Sequence, residues 1–349
     1  MSYSLKAFFF IGRPLSPLYS VVMKIRETLY KKNILKSYSF PVPVISVGNL
    51  VMGGTGKTPI VRHLSELLQK KGYNPAVISR GYGGKSKQRV NVVSDGTNVN
   101  LAPIDAGDEP YMLARTLKNI PVLTGTRRYF PCNYAINKFK TNVLLLDDGF
   151  QHLSVQRNLD LVLFDATALA GNSRVFPGGE LREPVSALKR CHVFLITGVS
   201  ADNKLSAVKF QSLLKEKFPN KPVFLAEHDS YQLWNNQGEE ISAKKEVEHY
   251  AFCGIANPLR FKNSLENHGL KISGFEPLKD HVCYTQSLVT NLCERAGKSG
   301  AKFLLTTEKD FVKLKNFQTK LPLIIFTIRH KVDIKFDDFI LNYISHADH

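Results

Sequence analysis

The run Gly48-Asn-Leu-Val-Met-Gly-Gly-Thr-Gly-Lys-Thr-Pro59 constrains this chain more than any other. It follows an apolar run, Val42-Pro-Val-Ile-Ser-Val47, and precedes an amphipathic one, Ile60 to Gly72. Strand, glycine-rich loop and helix together are the setting of a phosphate-binding loop. Gly53, Gly54 and Gly56 allow turns that a β-carbon would forbid, so successive N–H groups, that of Thr55 included, can converge on phosphate oxygens. The helix beginning near Lys57 aims its positive dipole end at the same place. Lys57 is expected to reach the β- and γ-phosphates, and the Thr58 hydroxyl to ligate Mg²⁺. The common pattern puts glycine at position 51. Here Val51 stands there, with Gly48 three residues earlier.

The second half of a nucleotide site is legible at Asn142-Val-Leu-Leu-Leu-Asp-Asp-Gly-Phe-Gln-His152. A fully apolar strand ending in acid is a buried parallel strand that delivers Asp147 and Asp148 beside Thr58, where a carboxylate can hold Mg²⁺ directly or through water. Leu159 to Asp165 and His192 to Thr197 repeat the strand signature, with a helix expected between them. This is the rhythm of an open α/β sheet. Other stretches are ambiguous. Arg80-Gly-Tyr-Gly-Gly84 after the strand Pro75–Ser79 is either part of a phosphate or sugar site or a plain turn. Gly107-Asp-Glu-Pro110 reads as a helix N-terminus with acidic first-turn residues. Gly171 to Pro184 is either a surface loop or a segment whose Arg174 or Arg182 neutralises phosphate.

Composition limits the setting. The net charge of +17 favours polyanions, whether nucleic acid, anionic membrane or a phosphorylated substrate. Seven basic residues face one acid, Glu27, within the first fifty positions. Ser16-Pro17 reads as an N-cap and first helical residue, after which Leu18, Val21, Val22, Ile25 and Leu29 recur at helical spacing. Such a basic amphipathic helix suits a membrane surface, or else packs on its own domain. No apolar run approaches the roughly 18 residues of a membrane span, and Pro14 and Pro17 interrupt where a signal peptide would continue. Five cysteines without a C-x-x-C pair fit free thiols in a reducing compartment. No nucleic-acid module and no obligate protein partner are evident.

The expected architecture is α/β. A P-loop NTPase-like parallel sheet domain spans 37–220 and a smaller α/β domain spans 221–349, with 1–36 as a membrane-associating N-terminal helix. One alternative on these grounds is a membrane-associated P-loop switch ATPase. A GTPase is disfavoured, because Thr307-Glu-Lys-Asp310 has its lysine one place too late for a base-reading motif. A basic adaptor with a vestigial loop is disfavoured by the intact Lys57, Thr58, Asp147 and Asp148.

Taken in order, the motifs resemble the tetraacyldisaccharide 4′-kinase (lipid A 4′-kinase) family of Gram-negative bacteria. The matching pieces are Gly48-Asn49, Gly53 to Pro59, Ser79 to Gly84, Gly107 to Pro110, Asp147 to His152 and Pro177 to Pro184. They continue with Gly254 to Pro258, Asp280-His281 and Thr306 to Asp310. Gly179-Glu180 replaces a commoner Gly-Pro, and Val282 follows His281 where a second histidine or an aromatic is usual. The resemblance implies transfer of the ATP γ-phosphoryl, with Mg²⁺, to the 4′-hydroxyl of a tetraacylated disaccharide 1-phosphate at the cytoplasmic face of the inner membrane. It also implies an acceptor-side pair, Asp108 receiving the hydroxyl proton and His281 positioning it. Arg182 is then a transition-state or substrate charge.

Overall fold

Strand β1 (Val44–Asn49) lies in the middle of a sheet because all six of its residues are buried, on both faces. In the computed structural model, described for residues 3–237, 239–242, 246–255, 257–280, 282–314 and 317–346, it has β5 (Val143–Asp147) on one side and β6 (Leu159–Asp165) on the other, both parallel. Beyond β5 come β2 (Pro75–Ser79), β4 (Val122–Thr124) and the antiparallel β3 (Asn91–Ser94). Beyond β6 come β7 (Val193–Val199) and β8 (Val223–Asn235), again parallel.

The smaller C-terminal α/β part continues the same sheet rather than forming its own. Strand β13 (Leu323–Val332) pairs antiparallel with β8, and β12 (Phe303–Thr307), β10 (His249–Cys253) and β11 (Ile272–Pro277) follow in parallel. The short β9 (Glu240–Ile241) pairs with β8 off this path.

Helices α1 (Tyr3–Gly12) and α2 (Ser16–Lys31) precede the sheet, and α3 (Lys57–Lys70) leaves β1 through the glycine loop. The next are α4 (Pro103–Ala106), α5 (Asp108–Thr116), α6 (Tyr129–Phe139) and α7 (Lys204–Lys217). The C-terminal part carries α8 (Pro258–Asn267), α9 (Gln286–Lys298), α10 (Glu308–Leu314) and α11 (Ile334–Ser345). Ile60, Val61, Leu64 and Leu68 turn one stripe of α3 into the core, as its helical period requires.

Three expectations change. Ser16 is no N-cap: residues 13–15 already form a 3-10 turn, Leu15 is the helical cap position, and the Ser16 hydroxyl bonds across to Val175 O at 2.8 Å. Between β6 and β7 there is only a 3-10 turn, Val185–Arg190, because Gly171, Pro177, Gly178, Gly179 and Pro184 interrupt the segment before it. The last helix, expected with the second unit, returns to the first: Phe336, Ile340 and Ile344 pack with Ile45, Ile60 and Leu64.

Candidate active site

The glycine loop is held from three sides. The Asn49 amide donates to Val51 O at 2.6 Å and Gly53 O at 3.3 Å, and the Thr197 hydroxyl donates to Thr55 O at 2.9 Å. Residues 50–52 pair with 180–182: Met52 N donates to Glu180 O and Arg182 N to Leu50 O, each at 2.8 Å. Val51 is therefore buried, against Leu181, and a side chain there serves the core as glycine could not. Gly48 carries the close approach instead, since a β-carbon on it would lie 2.5 Å from Phe150 Cβ. Gly56, in the left-handed region at φ 73°, turns the chain into α3, so that Lys57 opens the helix and Thr58 follows, mostly buried.

The pairing with 180–182 brings Arg182 to the phosphate loop. Its guanidinium donates to both carboxylate oxygens of Asp148, at 2.9 and 2.8 Å, and Lys57 Nζ lies 3.5 Å from the same carboxylate. Asp148 itself sits at φ 51°, an uncommon conformation for a non-glycine residue, which swings its side chain out of the strand line toward Lys57. Burial works to raise its pKa, but Lys57 and Arg182 outweigh that and hold it below the usual carboxylate range. The two cations suited to phosphate are thus gathered on one acid, which a nucleotide would displace.

Asp147 is different. It is buried, and neither carboxylate oxygen has a hydrogen-bond partner. Burial, with Glu109 and Asp148 adding to it, pushes its pKa up to about 7 against the opposing pull of Lys57 and Arg128. A buried, unpartnered carboxylate is costly unless something positive meets it. A hard divalent cation fits these oxygens, so the donor set suits Mg²⁺.

Arg128, which sequence reasoning missed, is also buried and donates to Asp148 O at 2.9 Å. Its position within Gly125-Thr-Arg-Arg128 carries no local signal.

Asp108 is the first residue of α5, after Gly107 at φ 89°. Its neighbour Glu109 acts electrostatically on Asp147, which brings this helix end within reach of that carboxylate's field. A second missed residue, Lys313 on α10, brings its Nζ to 2.7 Å from Asp108, both side chains being mostly buried. This contact is how the C-terminal part enters the site. His281, expected beside Asp108, lies outside the described residues. Nearby Asp310 is structural: fully buried, it accepts from Gly254 N, the Tyr284 hydroxyl and the Thr307 hydroxyl. A cavity of about 70 Å³ behind Thr58, between α3, α5 and α10, has room for water and not for a nucleotide.

The structure thus brings Lys57, Asp148 and Arg182 into contact, with Asp147 and the start of α5 beside them. A family model described as tetraacyldisaccharide-1-P 4′-kinase (LpxK) matches residues 8–345. The tetraacyldisaccharide 4′-kinase of Desulfotalea psychrophila is 47% identical over 340 residues, covering 95% of this chain and 96% of its own. That of Syntrophus aciditrophicus is 37% identical, covering 91% and 87%. A crystal structure of LpxK from Aquifex aeolicus in complex with ATP, described as an "apo" form, superposes with a TM-score of 0.75 at 31% identity, covering 95% of this chain and 98% of that one. On its sequence and its fold alike, this chain belongs to the tetraacyldisaccharide 4′-kinase family.

Proposed function

We propose that this protein transfers the γ-phosphoryl group of ATP to the 4′-hydroxyl of a tetraacyldisaccharide 1-phosphate, a step of lipid A biosynthesis, at the cytoplasmic face of the inner membrane. The observation that carries the reading is the convergence on Asp148 of Lys57, from the phosphate loop, and Arg182, from the paired segment. In the reaction the acceptor oxygen forms a bond to Pγ, the bond from Pγ to the bridging oxygen of ADP breaks, and the hydroxyl proton leaves to a carboxylate. Gly53, Gly54, Thr55 and Gly56 give backbone donors to the phosphates. Lys57 and Arg182 exchange Asp148 for phosphate oxygens and stabilise the charge that develops there. Thr58, Asp147 and Asp148 would hold Mg²⁺, which would supply charge neutralisation for the transferred group.

Asp108 receives the acceptor proton. A carboxylate is a far weaker base than a sugar alkoxide and does not remove the hydroxyl proton in advance. Its contribution in a loose transition state is to orient the oxygen and take the proton late. His281 is the partner implied for it by the family resemblance.

The membrane contact is supported by an inverted packing of α2. Tyr19 and Arg26 face the protein, the Tyr19 hydroxyl donating to Arg182 O and Arg26 to Gln151 O, while Lys24, Thr28 and Lys31 stay exposed. The apolar side chains of the helix, Leu18, Val21, Val22 and Ile25, are about half exposed or more, as are Phe10, Ile11 and Leu15 just before it. Among the described residues no helix is long and apolar enough to cross a membrane. Lying in the interface, these side chains would gain roughly 1 kcal/mol each by losing their exposed halves to lipid. The working division is 1–36 for membrane contact, 37–220 for the phosphate-loop unit and 221–349 for the smaller unit, with α11 crossing back.

The test uses purified protein, Mg²⁺, γ-labelled ATP and the detergent-dispersed tetraacyl disaccharide 1-phosphate, beside a reaction without lipid. Label entering a bis-phosphorylated lipid is expected. Free phosphate released at equal rates in both reactions would overturn the kinase reading in favour of a switch ATPase. In Asp108→Asn, turnover is expected to fall strongly while ATP binding survives.

A further inference from the structure

A second cationic site lies away from the phosphate loop, between the N-terminal helices and the 171–184 segment. It is a cavity of about 330 Å³ lined by Arg13, Ser16, Pro17, Ser20, Arg174 and Val175. That volume is within the range of small-molecule sites, roughly 300–1,000 Å³. Among the described residues neither guanidinium has an acidic partner; Arg13 lies over the Phe10 ring, 4.8 Å from its centroid. Two uncompensated arginines on one concavity attract a doubly charged anion, and their planar forks match phosphate oxygens.

Their relative position is fixed by the backbone. The Ser16 hydroxyl donates to Val175 O and accepts from Gly178 N, both at 2.8 Å. A β-carbon on Gly12 would lie 2.3 Å from Pro177 O, and one on Gly178 would lie 2.8 Å from Arg13 Cα. The two segments are interlocked too closely for either glycine to be replaced without displacing the other strand of contact. The same segment that lines the cavity with Arg174 sends Arg182 to Asp148, and Tyr19 of α2 holds Arg182 O. The cavity thus shares one segment with the exposed apolar side chains of Phe10, Ile11, Leu15 and Leu18 and the other with the Arg182 that meets Asp148.

We infer that the Arg13–Arg174 cavity binds a phosphate monoester, and that its occupant is the phosphate already present on the glycolipid acceptor. The inference rests on the proposed function. It divides the acceptor among three surfaces: reacting hydroxyl at Asp108, phosphate at Arg13 and Arg174, acyl chains on the apolar helix face. Free lipid bearing no phosphate would lack the second hold and bind in more than one register.

The test compares the tetraacyl disaccharide 1-phosphate with the same lipid lacking its phosphate, for wild type, Arg13→Gln, Arg174→Gln and the double variant. Binding in detergent micelles is measured without ATP, so the result does not depend on turnover, and kcat/KM is measured in parallel. Wild type is expected to prefer the phosphorylated acceptor, and each single variant to lose about tenfold of that preference. The double variant is expected to lose nearly all of it. A preference retained in the double variant overturns the inference, and so does an equal loss for both lipids. A third arm uses vesicles of neutral phosphatidylcholine with and without phosphatidylglycerol. Loss of anionic-vesicle binding with the acceptor preference intact would assign the cavity to a bilayer headgroup and overturn its assignment to the acceptor. Should binding behave as expected while no label is transferred, the proposed function fails and the cavity assignment stands.

Discussion

Replacing Lys313 by Met removes the ammonium from Asp108 while keeping most of the side-chain stem. The nitrogen lies 2.7 Å from Asp108 Oδ2, with side-chain exposures of 11% and 14%. At an effective dielectric constant near 20 the attraction across that gap is about 6 kcal/mol, and the desolvation of both groups offsets most of it. Stranding one member of a largely buried pair costs about 3–5 kcal/mol. Asp108 keeps some water and a further interaction, so the expected loss is about 2 kcal/mol, or a fall in Tm of several degrees. The catalytic loss should be larger in proportion, because misplacing a reacting group by 1 Å costs on the order of 100-fold. We expect kcat/KM for the lipid acceptor to fall at least tenfold, with the KM for ATP little changed and partial rescue by Lys313→Arg. Thermal melts and initial rates on the three proteins measure both effects. A Lys313→Met protein with wild-type Tm and kcat/KM within about twofold would refute the view that α10 holds the acceptor carboxylate.

Three other outcomes are expected. His152 is held neutral, its pKa brought down to about 3 by burial and by Arg128 and Arg157. The unfolded chain therefore binds this proton first, so stability should fall as pH drops from about 6.5 toward 3, by up to a few kcal/mol. His152→Gln should flatten that acid limb in urea titrations, and an unchanged slope would contradict the neutral assignment. Gly48→Ala forces a β-carbon against Phe150 and should cost about 1–3 kcal/mol and weaken ATP binding, read by denaturant melts and nucleotide titration. Leu18→Ser with Ile25→Ser should lower flotation with anionic vesicles by about tenfold while Tm stays within a degree or so, since both side chains face out. Undiminished flotation would remove α2 from the membrane contact.

What the sequence discloses depends on how local the cause is. Strand β5 is legible as an apolar run up to its terminal acid, and β1 and β6 as mainly apolar runs interrupted inside by Ser46 and Asp160, because both faces of a central parallel strand are buried. Pro75–Ser79 and Leu159–Asp165 coincide with their strands residue for residue. The three-residue β4 and the polar β3 offer too little periodicity to be read, and β11, only half-buried, is marked by no apolar run. Ser16 has the composition of a cap but follows residues already wound, and its hydroxyl is taken by a carbonyl 159 positions away. Lys57, Asp147 and Asp148 announce themselves through the loop and the strand end. Arg128 and Lys313 do not, because each acts at a distance in sequence from the group it meets and sits in an ordinary local context. Arg182 was legible as a charge without a destination; the pairing of 50–52 with 180–182 supplies it.

The return of α11 to the first core bears on how the enzyme is made. Phe336, Ile340 and Ile344 join the core that also takes the buried stripe of the helix beginning with Lys57, and Asp337 meets His63 of that helix at 2.7 Å. A growing chain has the glycine loop and both aspartates outside the ribosome long before these residues exist, so the nucleotide site cannot be finished in the order it is synthesised. That packing step joins residues 274 positions apart, a slow kind of contact to form.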